Sequence, residues 1–381
     1  MTPFSELGLS APLLANVAKS GYTTPYPIQV EAIPAILAGK DILGIAQTGS
    51  GKTASFVLPI LQQFQQKPAA RNRHIKALIL VPTRELAVQV GAVFTLLSDR
   101  LPRPVRSMAA FGGVSINPQM MQLQGVEILV ATPGRLLDLV DHRAIHLSDI
   151  DILVLDEADK MLNLGFKEEM NRIFSLLPTR RQNLLFSATL GKDIHTMTEM
   201  LLHDPVKIDI PQPADQLDSI KQIGYRVSDD RKGPLLRYLI KEQDLQQVLV
   251  FTSSVHKADG VVNKLKKNGI VALALHSEKS QGARTDALRY FKSGEIKVLV
   301  ATDLASRGID IPDLPTVINY ELPRSPKDFI HRIGRTGRAG ATGTAISLVS
   351  ADEEQHFRVI QKKMGKWADM VETEGFDLRG Y

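Results

Sequence analysis

Residues 46–53, AQTGSGKT, sit between an apolar run and a helical stretch and carry the residue types a phosphate group needs. Gly49 and Gly51 let backbone N–H groups turn inward around a β-phosphate. Lys52 supplies a point charge for the β- and γ-phosphates, and Thr53 a hydroxyl for Mg2+. Ala46 stands where the first glycine of G-x-x-x-x-G-K-[ST] usually falls, with Gln47, Thr48 and Ser50 completing the loop. A helix opening at Lys52 adds the partial positive charge of its N-terminus. Further along, DILVLDEADK (151–160) places Asp156 at the end of an apolar strand with Glu157 next to it. An acid there faces the crevice in which such sheets bind ligands; Asp156 would hold Mg2+ mainly through water, and Glu157 would orient or deprotonate an attacking water. A third cluster is HRIGRTGR (331–338), with Arg332, Arg335 and Arg338 spaced by three around Gly334 and Gly337. The two glycines argue for a close-approach loop with converging guanidiniums, suited to transition-state charge on a γ-phosphate. Each cluster alone has a bland reading: a glycine-rich turn, a solvated acidic turn, a surface basic patch. Their joint presence favours the chemical one.

The elements that must position these residues are legible from alternation. DILGIA (41–46), KALILV (76–81), EILVA (127–131), DILVLD (151–156) and NLLFS (183–187) predict buried strands, each separated from the next by a helical stretch. The pattern lapses over PVKIDIPQPADQLDSIKQ (205–222), which contains a linker, and resumes with QQVLVF (246–251), IVALAL (270–275), IKVLVA (296–301), PTVINY (315–320) and GTAISLV (343–349). The expected fold is α/β, with two parallel sheets covered by helices on both faces. The expected boundaries are a first domain over 1–208, a linker over 209–219, a second domain over 220–350, and a tail over 351–381 with one helix, EEQHFRVIQKKM.

Composition sets the outer limits. At roughly 100–200 residues per domain, the 381 residues suffice for two cores. Hydrophobic residues at 44% and charged residues at 23% exclude disordered and collagen-like classes. No apolar run reaches the roughly 18–20 residues of a spanning helix, and MTPFSELGLS has no signal-peptide pattern, so the expected location is cytoplasmic and no membrane partner is expected. The absence of cysteine removes disulfides, thiolate metal sites and cysteine nucleophiles. A net charge of +5 is compatible with nucleic acid without demonstrating it. One tryptophan and 6% aromatics argue against base stacking as the main binding mode. Trp367 reads as packing, Lys264, Lys266 and Lys267 as a solvated helix face, and His74, His142 and His356 as surface residues, since no histidine shows metal-ligand spacing.

Taken together, these residues resemble the DEAD-box RNA helicases of superfamily 2, and the resemblance spans residues 4–350. GYTTPYPIQ (21–29), with Phe4 upstream, resembles the family's Q motif (2–30), although Tyr26 stands where threonine or serine is more usual. AQTGSGKT, PTRELA (82–87), Gly112–Gly113, TPGR (132–135), DEAD (156–159), SAT (187–189), VFTSS (250–254), ATDLASRGID (301–310) and HRIGRTGR follow in family order. HSEKSQGART (276–285) and DEADKMLNLGF look most like the bacterial RhlE-like subgroup.

The resemblance implies tandem RecA-like domains joined by a flexible linker, with ATP and Mg2+ as cofactors. It implies that Gln29 reads the adenine edge and Tyr22 stacks on the ring, that Gly308 and Asp310 touch the nucleotide, and that Arg335 and Arg338 are arginine fingers. His331 would bond to the DEAD segment, and Asp159, Ser187, Thr189 and Asp303 would couple nucleotide to RNA. Thr83, Arg84, Gly113, Thr132 and Arg135 in the first domain, and Ser253, Gln281, Arg284, Thr302 and Arg307 in the second, would contact RNA, single-stranded or duplex, through its backbone without base readout. Ribosomal or RNA-decay complexes are the expected context and a monomeric core the expected state. Three other classes fit the sequence less well. A DNA translocase is disfavoured by the Q motif and DEAD segment, a non-hydrolysing RNA clamp by the intact Glu157 and arginine pair, and a small-molecule kinase by the purpose it denies the second half.

Overall fold

The structure, a computed structural model, describes residues 2–47, 49–70, 72–211, 218–303, 314–337 and 342–381. The chain divides into two compact units, Met1–Gln212 and Pro213–Tyr381. In the first, β1 (Ile42–Ile45), β2 (Ala77–Leu80), β3 (Ser107–Ala110), β4 (Ile128–Ala131), β5 (Ile152–Leu155), β6 (Gln182–Ser187) and β7 (Val206–Asp209) form one sheet in the order β3-β4-β2-β5-β6-β1-β7. In the second, β8 (Ile220–Arg226), β9 (Val248–Thr252), β10 (Ala272–Leu275), β11 (Val298–Thr302), β12 (Thr316–Asn319), β13 (Gly343–Val349) and β14 (Asp369–Glu372) form another, in the order β10-β11-β9-β12-β13-β8-β14. All pairings are parallel.

Successive side chains on a strand point to opposite faces, and here both faces are covered. Ala77 and Ile79 of β2 join the core on one side with Phe56, Val90 and Phe94; Leu78 and Leu80 join the core on the other with Leu136, Leu139 and Ile173. The same division recurs around β9, with Val248 and Val250 on one face and Leu249 and Phe251 on the other. That double burial is why the inner strands other than β8 read as unbroken apolar runs.

Four strands were not expected from the sequence. β3, β7 and β14 are sheet edges. An edge strand has a neighbour on one side only and need not be apolar throughout: in β7 Ile208 is buried while Lys207 and Asp209 are exposed. β7 also lies inside 205–222, so that segment is a paired strand before it becomes a connection, and β8 begins within its last residues. β8 is broken in pattern by Gly224, where a Cβ would lie 2.5 Å from Met370 Sδ and 3.3 Å from the Phe357 ring.

The tail differs from a single appended helix. The helix Glu354–Met364 buries Phe357 and Ile360, and β14 then pairs with β8 and completes the second sheet. Trp367 is not packed; it is 62% exposed. His74 is half-buried rather than on the surface, stacked on His146 at 4.6 Å and facing Asp149 at 3.4 Å. No helix among the described residues is long and apolar enough to cross a membrane.

Candidate functional site

A parallel sheet brings the C-terminal ends of its strands to one edge, and the strand order decides which segments become neighbours there. Along that edge of the first unit come Gly113 after β3, Thr132 after β4, Thr83 after β2, Asp156 after β5, Ser187 at the end of β6, and Ala46 after β1. The expected nucleotide residues therefore occupy one half of the edge and the expected RNA residues the other, with the DEAD segment at the junction.

The phosphate loop leaves β1 at Ala46, whose N–H donates to the Ser187 carbonyl at 3.0 Å. Gln47 O accepts from the Ser50 hydroxyl at 2.7 Å, closing the turn. Gly51 has φ 87°, and a Cβ there would lie 2.6 Å from Gln29 Nε2 and 2.8 Å from Tyr26 Cδ2, so glycine is required on both backbone and packing grounds. Gly49 is likewise left-handed at φ 88°. Lys52 opens the helix Lys52–Gln65 and is buried, its Nζ donating to the Ala46 carbonyl at 2.7 Å. The ammonium is thus folded over its own loop, with half-buried Thr53 beside it in the first helical turn. Thr48 lies outside the described residues.

Gln29 is tied to its neighbours through both ends of its amide. Its side chain is fully buried, its Oε1 accepts from the Tyr26 N–H at 2.9 Å, and its Nε2 donates to the Gly51 carbonyl at 3.0 Å. The amide was expected to donate to and accept from adenine together. Here one lone pair of the acceptor serves the helix entry and one N–H serves Gly51, which leaves a second acceptor site and a second donor and ties the helix Pro27–Leu37 to the phosphate loop. Tyr22 is half-buried, its ring edge-on to Phe4 at 6.5 Å.

Asp156 and Glu157 turn out of β5 into the short helix Ala158–Asn163. Glu157 takes that turn at φ 54°, a left-handed conformation that costs a non-glycine residue of the order of 1–3 kcal/mol and tends to persist at functional sites. Burial pushes the Asp156 carboxyl up to about 6; Lys52 opposes the rise, the Glu157 carboxylate adds to it, and Lys160 opposes it again. Asp156 Oδ1 is buried with no hydrogen-bond partner among the described residues. A buried, unsatisfied carboxylate oxygen close to Lys52 is the donor a hard divalent cation would complete, so the residues present fit Mg2+. Lys160, which sequence reading passed over, pairs with Glu157 at 2.6 Å one helical turn on. The i,i+3 spacing of two opposite charges was the available signal.

The SAT segment joins this group. Ser187 Oγ donates to the Thr189 carbonyl at 2.8 Å, and Thr189 Oγ1 donates to Asp159 Oδ2 at 3.2 Å. A continuous polar path therefore runs from the phosphate loop through Ser187 and Thr189 to the last acid of DEAD.

In the other half of the edge, Thr83 caps the helix Arg84–Leu97 by accepting from the Leu86 N–H at 3.3 Å. Arg84 lays its guanidinium over Gly113, in the space a Cβ would fill, and Gly113 has φ 76°. Thr132 starts the helix Pro133–Asp141, from which Arg135 is buried and donates to the Val114 carbonyl at 2.7 Å. Arg135 thus supports the Gly112–Gly113 loop from below.

The second unit repeats the arrangement. Ser253 follows β9, and both its N–H and its hydroxyl donate to Glu321 Oε2, at 2.8 and 2.7 Å. Burial would raise the Glu321 carboxyl, but the Ser253 bonds and Lys257 hold it below the ordinary range. No sequence signal marked Glu321. Thr302 ends β11, and Gln281 and Arg284 lie in the first turn of the helix Gln281–Lys292.

The expected loop at HRIGRTGR is half helix: Pro326–Ile333 is helical and ends at Gly334. Arg332 is engaged within the second unit. It is buried, donates to both oxygens of Asp303 at 2.6 and 2.7 Å, to Asn319 Oδ1 at 3.1 Å and to the Glu321 carbonyl at 2.7 Å, and lies over the Phe251 ring. Asp303 is correspondingly engaged with Arg332. Buried Arg335 follows the helix, its carbonyl accepting from the Leu314 N–H ahead of β12, and His331 is exposed. Arg307, Gly308, Asp310 and Arg338 lie outside the described residues.

Two parallel sheets, a phosphate loop with paired acids on one and an arginine-bearing segment on the other define a nucleoside triphosphatase built from tandem RecA-like domains. Residues 26–197 match the DEAD/DEAH box helicase family and residues 231–340 the helicase conserved C-terminal domain. The chain is 39% identical over 378 residues to the ATP-dependent RNA helicase CshA of Listeria monocytogenes, covering 99% of this chain and 72% of the relative. It is 40% identical over 359 residues to the ATP-dependent rRNA helicase RRP3 of Meyerozyma guilliermondii, covering 93% and 74%. The structure of Saccharomyces cerevisiae Dbp5 bound to RNA and ADP BeF3 matches with a TM-score of 0.85 at 30% identity, covering 100% of this chain and 98% of that one. The chain belongs to the DEAD-box RNA helicase family.

Proposed function

We propose that the chain is an ATP-dependent RNA helicase, an RNA-stimulated ATPase that locally opens short RNA duplexes or remodels RNA–protein complexes. The observation that carries the reading is the polar path from Ala46 through Ser187 and Thr189 to Asp159. It joins the phosphate loop to the DEAD segment, which the strand order sets between the nucleotide residues and Thr83, Arg84, Gly113 and Thr132.

Lys52, Thr53, Asp156 and Glu157 lie in the first unit and Arg335 in the second, so turnover requires both units. Mg2+, held by Asp156 mainly through water and by Thr53, would neutralise phosphate charge. Glu157, anchored at one oxygen by Lys160, orients and deprotonates the attacking water; Arg335, with Arg338, stabilises charge on the transferred phosphoryl group. The backbone amides, hydroxyls and arginines of the RNA half suit phosphate and 2′-hydroxyl groups, which makes recognition independent of base sequence. Within the family we place the chain nearest the RhlE-like subgroup, on HSEKSQGART and DEADKMLNLGF, with ribosomal or RNA-decay complexes in the cytoplasm as its setting.

The test is ATP turnover with RNA, with single-stranded DNA of equal length, and with neither, for the wild type and Glu157→Gln. RNA should stimulate the wild type and DNA should not. Glu157→Gln should keep ATP and RNA binding and lose about 10²-fold or more in turnover. Equal stimulation by DNA would point to a translocase and defeat the reading.

A further inference from the structure

The helicase reading leaves one prominent feature without a role. Trp367 is the sole tryptophan of the chain and it stands 62% exposed. Tryptophan is highly buried on average, so a large indole in water on an ordered segment is informative. The segment is fixed on both sides. Gly365, left-handed at φ 74°, ends the helix Glu354–Met364. Lys366 Nζ donates to the Ile220 carbonyl at 3.2 Å and faces Asp218 at 3.5 Å. The Ala368 N–H donates to Gln361 Oε1 at 2.7 Å, and β14 begins at the next residue, paired with β8. The backbone on either side of the exposed indole is therefore anchored.

Cationic residues precede Trp367 in the chain, and one exposed acid, Asp369, follows it by two residues. Lys362 and Lys363 are exposed in the last turn of the preceding helix, and exposed Arg358 lies a turn earlier, with Glu354 at 3.7 Å. Lysines at a helix C-terminus complement its dipole, which accounts for them without a ligand. It does not account for the adjacent indole. An exposed aromatic face preceded by exposed lysines four and five residues earlier has the composition of a single-strand nucleic-acid contact, in which a base stacks on the ring and the lysines meet phosphates, with no dependence on base identity. An acidic or apolar protein partner would use only one of the two features.

We infer that Trp367, with Lys362 and Lys363, forms an auxiliary single-stranded RNA contact on the second unit, outside the motif residues. The inference rests on the helicase reading and extends its RNA footprint. Position 367 supplies its own reporter, since all tryptophan emission comes from it. A short oligouridylate added to the full chain should quench that emission, saturating at the concentration where anisotropy of the same labelled oligonucleotide saturates. Trp367→Ala should weaken RNA binding about tenfold, Trp367→Phe should restore most of it, and both should leave ATPase without RNA unchanged. Lys362→Ala with Lys363→Ala should lower the slope of log affinity against log salt by about one to two. Emission indifferent to saturating RNA, or unchanged affinity of Trp367→Ala, would overturn the inference. So would an emission change that follows protein concentration and not RNA, which would assign the face to a second copy of the chain. The two readings fail distinguishably: with RNA-stimulated ATPase intact and Trp367 silent, only this inference falls, whereas absence of stimulation removes the helicase reading and this one with it.

Discussion

Replacing Asp156 by asparagine should stabilise the first unit while abolishing turnover. The Asp156 carboxyl is buried at the end of β5, one oxygen has no partner among the described residues, and its pKa rises from 3.8 to about 6. Between those two values the folded state holds more protons at this site than the unfolded chain. Stability from this site therefore falls as pH rises from about 4 to about 6 and stays low above that. The difference, at about 1.4 kcal/mol per pH unit, amounts to about 3 kcal/mol above pH 7. Asparagine keeps the shape and never ionises, so Asp156→Asn should gain little near pH 4 and up to about 3 kcal/mol near pH 8. For a unit of this size that is about 6–12 °C in melting temperature. The assay is denaturant unfolding across that pH range, followed by circular dichroism and by tryptophan emission. Trp367 belongs to the second unit, so its transition is an internal control that should not move. In the wild type, Mg2+ with ATP should recover the lost stability by favouring the carboxylate, and its affinity should decline as pH falls through about 6. A gain in the variant that is the same at pH 4.5 and pH 8, or a loss at pH 8, would refute the reasoning that an unpaired buried charge is kept here for a cation.

Arg332→Ala should destabilise the second unit by about 3 kcal/mol or more, because Asp303 and Asn319 lose the guanidinium that joins them; the tryptophan-detected transition should shift and the first unit's should not. Gly113→Ala should cost about 1–2 kcal/mol for its left-handed backbone, displace the Arg84 guanidinium and weaken RNA affinity while leaving ATP affinity without RNA intact, as read by thermal melts and separate binding titrations.

How far the sequence could be read follows from what each element borrows from its neighbours. Most inner strands declared themselves because they are buried on both faces and must be apolar throughout; inner β8 did not, because Lys221 is exposed and Gly224 interrupts the run. β3, β7 and β14 did not, because an edge strand needs one apolar face and takes the rest of its pairing from β4, β1 and β8. The phosphate loop and the acids were legible because glycine at a left-handed turn, a lysine at a helix start and an acid after a strand are demands of local chemistry. The arginines were legible as a group but not in their division of labour. Arg332 and Arg335 look alike in the sequence; only the fold shows that Arg332 is buried against Asp303, Asn319 and Phe251. Gln29 was marked by the resemblance of GYTTPYPIQ to the Q motif, yet its engagement with Gly51 depends on the approach of two segments 22 residues apart. By itself the sequence determined which chemical groups this protein possesses and the alternation that builds two sheets. Strand order was decided in three dimensions, since any sequence of βαβ units is compatible with several orders. That order, β3-β4-β2-β5-β6-β1-β7, sets the nucleotide residues beside the RNA residues with DEAD and SAT between them.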